Sequence, residues 1–456
     1  MTQWRPFYSM PQCEKFRAAR NSGALSPVIA LHLYGDARVK LFRPALMMAL
    51  LLAPVVLSPL SPVAVPIALA DDDDDDGDDD DDGGGGGIAS PGDPFTLPQV
   101  RRPTVRRAAT PPPVAAPEEV VVRGLDATGL AALVAEGFAV RATAGAVTLL
   151  TVPDDDDVDE AIAEIAALAP GAIAAPNTYY RNQQAEPGCE AAICSRWAEV
   201  GASKACAGSP FIGVVDTGVN LEHEALAGAK ITVERFGANP EAASEMRHGT
   251  AVAALLVGAS ESRTPGLMPD ARLLVADPFV AARGDTRADA FGLATAIDAL
   301  VAAEVDVINL SLAGPDNAVL AATVADAADA VPLVAAVGNA GPNADRLYPA
   351  GYEDVVAVTA LDRRDRVYRR AGQGAHVDVA APGVDLPTAA SIRGMRPQTG
   401  TSFAVPFVTA ALASARLVEP EKPVAELIVD LQASASDLGD PGRDDVFGWG
   451  RVTLDC

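Results

Sequence analysis

From about Phe211 the chain alternates between two kinds of stretch. FIGVVD, ARLLVAD, VDVINLSL, VPLVAAVGN and DVVAVTA are continuous apolar runs rich in β-branched residues. Between them lie the Ala-rich stretches GTAVAALLVG, ADAFGLATAIDALVAAE and AVLAATVADAADA. Uninterrupted apolar strands alternating with helices predict an α/β fold, a parallel β-sheet covered by helices on both faces. Upstream, Glu118–Tyr180 is patterned differently. EEVVVRG reads as a strand, TGLAALVAEG as a short helix ending at Gly137, and FAVRATAGAVTLLTV as a hairpin about Ala144-Gly145. DVDEAIAEIAALAPG has apolar residues at helical spacing, with acidic residues in its first turn where the helix dipole favours them. AIAAPNTYY closes the segment as a strand. The order β-α-β-β-α-β predicts a small α+β, ferredoxin-like domain ahead of the α/β domain.

The first 117 residues lack this patterning. Leu41–Ala70 starts beside Lys40 and Arg43, runs through an apolar body and ends at Ala68-Leu69-Ala70. Basic start, apolar run and small-x-small finish predict a secretory signal peptide cleaved near Ala70. A membrane span is the rival reading, since the run is long enough. Pro54, Pro59, Pro62 and Pro66 oppose it, because each interrupts helical hydrogen bonding. No stable membrane span is expected after signal cleavage. Residues 1–38 form an unusually long front region, so translation is expected to begin near Val39. Asp71–Asp76 and Asp78–Asp82, followed by Gly83–Gly87, cannot bury apolar surface and read as a solvated spacer. A Pro- and Arg-rich linker continues it. The predicted division is 1–70 extension and signal, 71–117 linker, 118–184 small domain and 185–456 large domain.

Composition narrows the classes of function. A chain of 456 residues, 49% hydrophobic, has room for two or three domains and a sizeable core. The formal net charge of −26 argues against a nucleic-acid partner, which needs clustered Lys and Arg. The Asp run holds eleven of those charges, so the globular part is less acidic than the total. Cys13, Cys189, Cys194, Cys206 and Cys456 form no CxxC pair and no His-Cys cluster of zinc spacing, so no metal site is assigned. Export would remove Cys13 and leave four cysteines in an oxidising space. Three pairings are open to them. Cys189–Cys194 with Cys206–Cys456 is the expected one, and free buried thiols are the alternative.

Four separated stretches then converge. FIGVVDTGVN ends a strand at Asp216, MRHGTAVAAL puts His248 at the start of an apolar helix, and VAAVGNAGPN ends another strand at Asn339. GTSFAVP offers Ser402 at the head of a further helix, with Pro406 tolerated in its first turn. In a parallel α/β sheet, strand C-termini and the following helix N-termini share one edge. A serine hydroxyl becomes a useful nucleophile when a base takes its proton, and an imidazole near neutral pH can do so. An aspartate can hold the imidazole tautomer and stabilise its cation. An asparagine amide and a helix-start N–H can receive an oxyanion. Each motif alone fits a structural turn or cap; together, on one edge, they point to nucleophilic catalysis. His223 lacks the Gly-Thr helix start and reads as a loop residue, and His376 as a structural one.

These motifs resemble those of the subtilisin-like serine proteases (subtilases, peptidase family S8). Asp216 matches the family's D-T/S-G aspartate, His248 its H-G-T histidine, Asn339 its A-x-G-N oxyanion asparagine and Ser402 its G-T-S-x-A-x-P serine. INLSLAGP, VDVAAPG and GRDDVFGWGRV extend the resemblance over roughly residues 197–455. The upstream domain resembles the family's propeptide, of the inhibitor I9 kind. The resemblance implies a subtilisin-like fold and a serine endopeptidase acting on polypeptide substrates, and the signal-like segment would make it secreted, periplasmic or cell-surface. It implies a monomeric zymogen that processes itself between Asn182 and Cys189, with the propeptide as intramolecular inhibitor. It implies that Ser311, Leu312, Ala313 and Gly314 form an edge for extended substrate. Ala335, Ala336, Val337 and Gly338 would form the other wall of the primary pocket. Leu347 would lie at its floor and favour a small or medium apolar residue. The chain departs from the family at Ala251, where a second histidine is common. It also departs at GANPEAASEMR, which lacks a ligand loop, so calcium is a candidate cofactor without an assigned site. The alternatives are a catalytically silent subtilase-like binding module, disfavoured by the intact set of four, and a calcium-buffering or adhesive protein. The last rests only on the Asp run, which lacks ligand periodicity.

Overall fold

The computed structural model describes residues 111–154, 156–183, 208–282 and 284–454. All fall in the second of the chain's two units, Arg102–Cys456. The signal-like segment, the Asp run and all five cysteines with their expected disulfides lie outside the described residues.

The small domain runs β1 (Ala115–Arg123), α1 (Ala127–Ala135), β2 (Ala139–Ala144), β3 (Val147–Thr151), α2 (Val158–Leu168) and β4 (Ile173–Asn182). Its order is the one the hydrophobic pattern predicts. β1 begins three residues ahead of the expected linker boundary, and β4 runs two residues past Tyr180. Asp126 and Asp157 start the two helices by accepting from Gly129 N and Glu160 N, which relieves orphaned donors of the first turn. The strands form an antiparallel sheet in the order β2-β3-β1-β4. Period-two alternation sorts β1 between two cores. Val120 and Val122 pack with Leu133, Phe138 and Ile165 under the domain's own helices. Val121 points the other way and joins Val147 and Leu149 in the core of the large domain. β1 and β3 therefore bury residues on both faces of the small sheet, whereas β2 is largely exposed.

The large domain runs β5 (Phe211–Val215), β6 (Lys230–Arg235), α3 (Arg247–Val257), β7 (Arg272–Asp277), β8 (Phe279–Ala282), β9 (Asp285–Asp289) and α4 (Ala290–Ala302). It continues through β10 (Val307–Leu310), β11 (Leu312–Ala313), α5 (Ala318–Ala328), β12 (Leu333–Ala336), β13 (Val355–Leu361) and β14 (Val379–Pro382). It ends with β15 (Leu386–Ala389), β16 (Met395–Gln398), α6 (Val405–Val418) and α7 (Val424–Ser434). Seven parallel strands form its main sheet in the order β14-β13-β12-β10-β5-β7-β6. The five apolar runs became β5, β7, β10, β12 and β13. β6 was not foreseen: as the edge strand its residues are half-buried or exposed, so KITVER lacks a continuous apolar signature. Thr401–Val418 is long and apolar enough to cross a bilayer, yet most of it is buried in this core.

After β5 the chain builds β6 and β7 on one side, then β10, β12, β13 and β14 on the other. The reversal lies between β5 and β10. In an open α/β sheet, ligands bind outside the strand C-termini at such a reversal. β4 reaches this crevice from the small domain. It pairs antiparallel with β9 on one side (Tyr179↔Asp289, Tyr180↔Ala288) and with β11 on the other (Arg181↔Ala313, Asn182↔Leu312).

Candidate active site

Asp216 follows β5 directly, and its Oδ1 accepts from the N–H of Thr217 at 2.7 Å. His248 sits in the first turn of α3, with its Nδ1 2.8 and 2.9 Å from the two carboxylate oxygens of Asp216. Its Nε2 is 2.9 Å from Ser402 Oγ. The Phe403 ring lies 5.1 Å from the imidazole, which it helps to orient. Ser402 lies in a 3-10 turn, Thr401–Phe403, one step before α6, so the α-helix starts later than the sequence suggests. Pro406 does fall in the first turn of α6. All three side chains are 0% exposed.

Asn339 lies three residues past β12. Its Oδ1 accepts from the N–H and the hydroxyl of Thr401, both at 3.1 Å. That fixes the amide orientation and leaves Nδ2 buried and unpartnered among the described residues. An unpaired buried donor is costly unless something arrives to use it. Behind the site, Ser311 Oγ donates to the Ser402 carbonyl at 2.9 Å and accepts from Asn309 Nδ2 at 2.8 Å. Thr409 Oγ1 donates to Asn309 Oδ1 at 3.2 Å. This buried chain ties the Ser402 turn to β10 and α6. Ser311 therefore turns its hydroxyl inward, and the pairing edge is Leu312 and Ala313.

Gln183, the residue after β4, occupies the crevice. Its carbonyl oxygen accepts from the Ser402 hydroxyl. Its Oε1 accepts from the main-chain N–H of Asn339 at 2.9 Å, and its Nε2 donates to the Arg181 carbonyl at 3.0 Å. Gly400 permits this approach: a Cβ there would lie 2.3 Å from the Gln183 carbonyl oxygen. Gly314 does the same for Tyr180, whose ring would be 2.4 Å from a Cβ at that position. Tyr180 is fully buried, which pushes its phenol pKa up. Leu347 packs over Gly338, beside the Gln183 carboxamide. Ala335, Ala336 and Val337 are buried within the sheet, so Gly338 and Asn339 present the wall that Gln183 meets.

The sequence motifs pointed to Asp216, His248, Asn339 and Ser402, and the fold brings all four together. They did not point to Gln183 or Thr401. For Gln183 the available signal was the continuation of the β4 pattern past Tyr180. His223 Nδ1 accepts from Ala225 N at 3.1 Å and caps a short turn, as a loop residue does. Among the described residues no group of three His, Cys, Asp or Glu side chains could hold a metal ion.

An aligned carboxylate, imidazole and hydroxyl at the C-terminal edge of a parallel sheet define the class of α/β proteins with a serine-nucleophile geometry. The Subtilase family, Peptidase_S8, matches residues 208–450, more than half of the chain, and the chain belongs to that family. The minor extracellular protease Epr of Bacillus subtilis (strain 168) is 29% identical over 246 residues, which are 53% of this chain and 37% of that protein. The thermophilic serine proteinase of Bacillus sp. (strain AK1) is 32% identical over 249 residues, 53% of this chain and 59% of that one. The match thus spans less than two thirds of these relatives' length. The crystal structure of fervidolysin from Fervidobacterium pennivorans, described as a keratinolytic enzyme related to subtilisin, shares the fold. Its TM-score is 0.61 at 20% identity, over 75% of this chain and 61% of that one.

Proposed function

We propose that this protein is a serine endopeptidase, exported as a zymogen, whose residues 115–183 act as an intramolecular inhibitor and whose first cut is at Gln183–Gln184. The observation that carries the reading is the Gln183 carbonyl, held against Ser402 Oγ while β4 pairs with β11 as an extended substrate would. The Ser402 hydroxyl turns its one proton from the Gln183 carbonyl oxygen to His248 Nε2, which takes it as Oγ attacks the carbonyl carbon. Asp216 stabilises the imidazolium that forms. The developing oxyanion moves towards Asn339 Nδ2 and the main-chain N–H of Ser402, donors that gain a partner only as charge develops. The C–N bond breaks, and His248 hands its proton to the leaving nitrogen of Gln184. Water then enters by the same route in reverse order and frees the Gln183 carboxylate. With Ser402 fully buried, no second polypeptide reaches it until β4 leaves. The signal-like segment and the extracellular relative favour export. The intact set of four residues disfavours a silent binding module.

The test is fluorophosphonate labelling of wild type and Ser402→Ala, with N-terminal sequencing of the processed form. The expected outcome is a labelled wild type that begins at Gln184, and an unlabelled Ser402→Ala that stays unprocessed. Labelling that persists in Ser402→Ala overturns the nucleophile. A folded, processed wild type that takes no label is a binding module instead.

A further inference from the structure

We propose that Tyr180–Gln183 is the chain's own template of its substrate class: polypeptides with arginine two residues before a glutamine that supplies the scissile carbonyl. Asp285 and the main-chain N–H of Asn339 are the selecting groups. The inference rests on the proteolytic reading above and adds specificity to it.

The register fixes which residue meets which group. With Gln183 at Ser402, Arg181 opposes Ala313 and Tyr180 opposes Ala288, so β4 lies in the crevice as an added strand between two edges. Main-chain pairing of this kind is sequence-tolerant, and selectivity comes from the side chains. The Arg181 guanidinium meets Asp285 in a fork, Nε to Oδ1 at 2.8 Å and Nη2 to Oδ2 at 2.9 Å. Parallel paired bonds of this kind favour arginine over lysine or neutral residues. Arg181 Nη2 also donates to the Pro113 carbonyl at 2.8 Å, a contact that belongs to the small domain alone. Arg287 Nη1 holds Asp285 Oδ2 at 2.9 Å from within the large domain, and its guanidinium stacks 4.0 Å above the Tyr179 ring. When the small domain leaves, Arg287 still holds the Asp285 carboxylate in place. Its fork is then open to an arginine arriving on a substrate. Arg181, with Arg287, keeps the Asp285 carboxyl below the usual carboxylate range, so it is ionised at neutral pH.

The pocket beside Ser402 supplies the second half. The Asn339 N–H donates to the carboxamide oxygen of Gln183, and an apolar side chain would leave that donor without this partner. A site built around a hydrogen bond discriminates against analogues that cannot form it. Leu347 at the pocket floor suggested a small or medium apolar residue from sequence; in the structure the Gln183 carboxamide sits beside Leu347 and Gly338.

The test uses the processed enzyme and internally quenched peptides containing Tyr-Tyr-Arg-Asn-Gln-Gln-Ala, with Arg→Ala, Arg→Glu and Gln→Leu versions. Loss of the charged fork is expected to lower kcat/KM about 10-fold for Arg→Ala. Loss of the carboxamide is expected to lower it by about 10-fold or more for Gln→Leu. Asp285→Asn should bring the Arg/Ala ratio towards one, and Asp285→Arg should turn the preference to the Glu peptide. Equal cleavage of the Arg and Ala peptides by wild type overturns the inference, as does an unchanged ratio in a fluorophosphonate-labelled Asp285→Arg. If Asp285→Arg takes no label, the wild-type peptide series decides. Casein is cut alongside. Casein cleaved without peptide selectivity overturns this inference only, whereas no hydrolysis of any substrate overturns the proteolytic reading beneath it.

Discussion

At the scale of single residues, Thr401 positions the group that the proposed mechanism uses. Its N–H and hydroxyl hold Asn339 Oδ1, and its hydroxyl accepts from Gly338 N at 3.2 Å, so the amide presents Nδ2 to the crevice. Asn339→Leu should lower kcat about 10²–10³-fold, the usual cost of one lost oxyanion donor. KM should change little, because the lost bond forms only in the transition state. Steady-state kinetics on one peptide separates the two. Thr401→Val keeps the main-chain bond but loses the hydroxyl, and should lower kcat about 10-fold at unchanged KM, since the donor survives with a looser orientation. An effect on KM alone would make Thr401 a binding group instead. Asn339 was legible in A-x-G-N. Thr401 was not, because a threonine beside a serine carries no periodic signal, and its role depends on where a loop from another strand comes to rest.

At the scale of elements, the contact that matters is the small sheet laid against α4 and α5. Val121, Val147 and Leu149 supply its apolar face, and Arg123 pins its end. Arg123 Nη1 donates to Asp298 Oδ2 on α4 and Nη2 to Asp326 Oδ2 on α5, each at 2.8 Å. The arginine side chain is 12% exposed and that of Asp298 31%, so this pair is shielded enough to matter more than an open surface one. Asp326 is 65% exposed, and its pair is screened by solvent. Arg123→Ala should speed release of the cleaved small domain about 10-fold, since charge pairs inside an interface act mainly on dissociation. The measure is the lag between the new N-terminus at Gln184 and full casein activity. An unchanged lag removes Arg123 from the latch. The small domain's element order was readable because each element shows its own period. The second burial of β1 was not: in EEVVVRG all three valines look alike, and only docking distinguishes Val121 from its neighbours.

At the scale of the whole molecule, one half-buried imidazole links stability to pH. Burial, then the nearby Arg346, lowers the His376 pKa, and its Nε2 has no partner among the described residues. The unfolded imidazole titrates near about 6.5. Below that value the unfolded chain takes up a proton that the folded one resists. The stability tied to neutral His376 is therefore complete above about pH 6.5 and is lost as pH falls through the lower folded value. Thermal melts from pH 7.5 to 5 in a Ser402→Ala background should show a shallower decline for His376→Gln than for His376. Parallel declines would show that other groups carry the acid sensitivity.

The sequence by itself determined the five inner strands and the positions of Asp216, His248, Asn339 and Ser402. Strands buried on both faces need unbroken apolar runs, and Asp216 and Asn339, just past β5 and β12, must share one edge. His248 and Ser402 follow β6 and β16 and reach that edge through the fold. Edge elements escaped it: β6 and the β8–β9 hairpin are part-exposed, so little burial is written into their residues. Only the tertiary structure decided that Gln183 meets Ser402, 219 residues away, and that Arg181 meets Asp285, 104 residues away. Those meetings follow from strand register, which two distant segments set jointly and which neither segment's own periodicity contains.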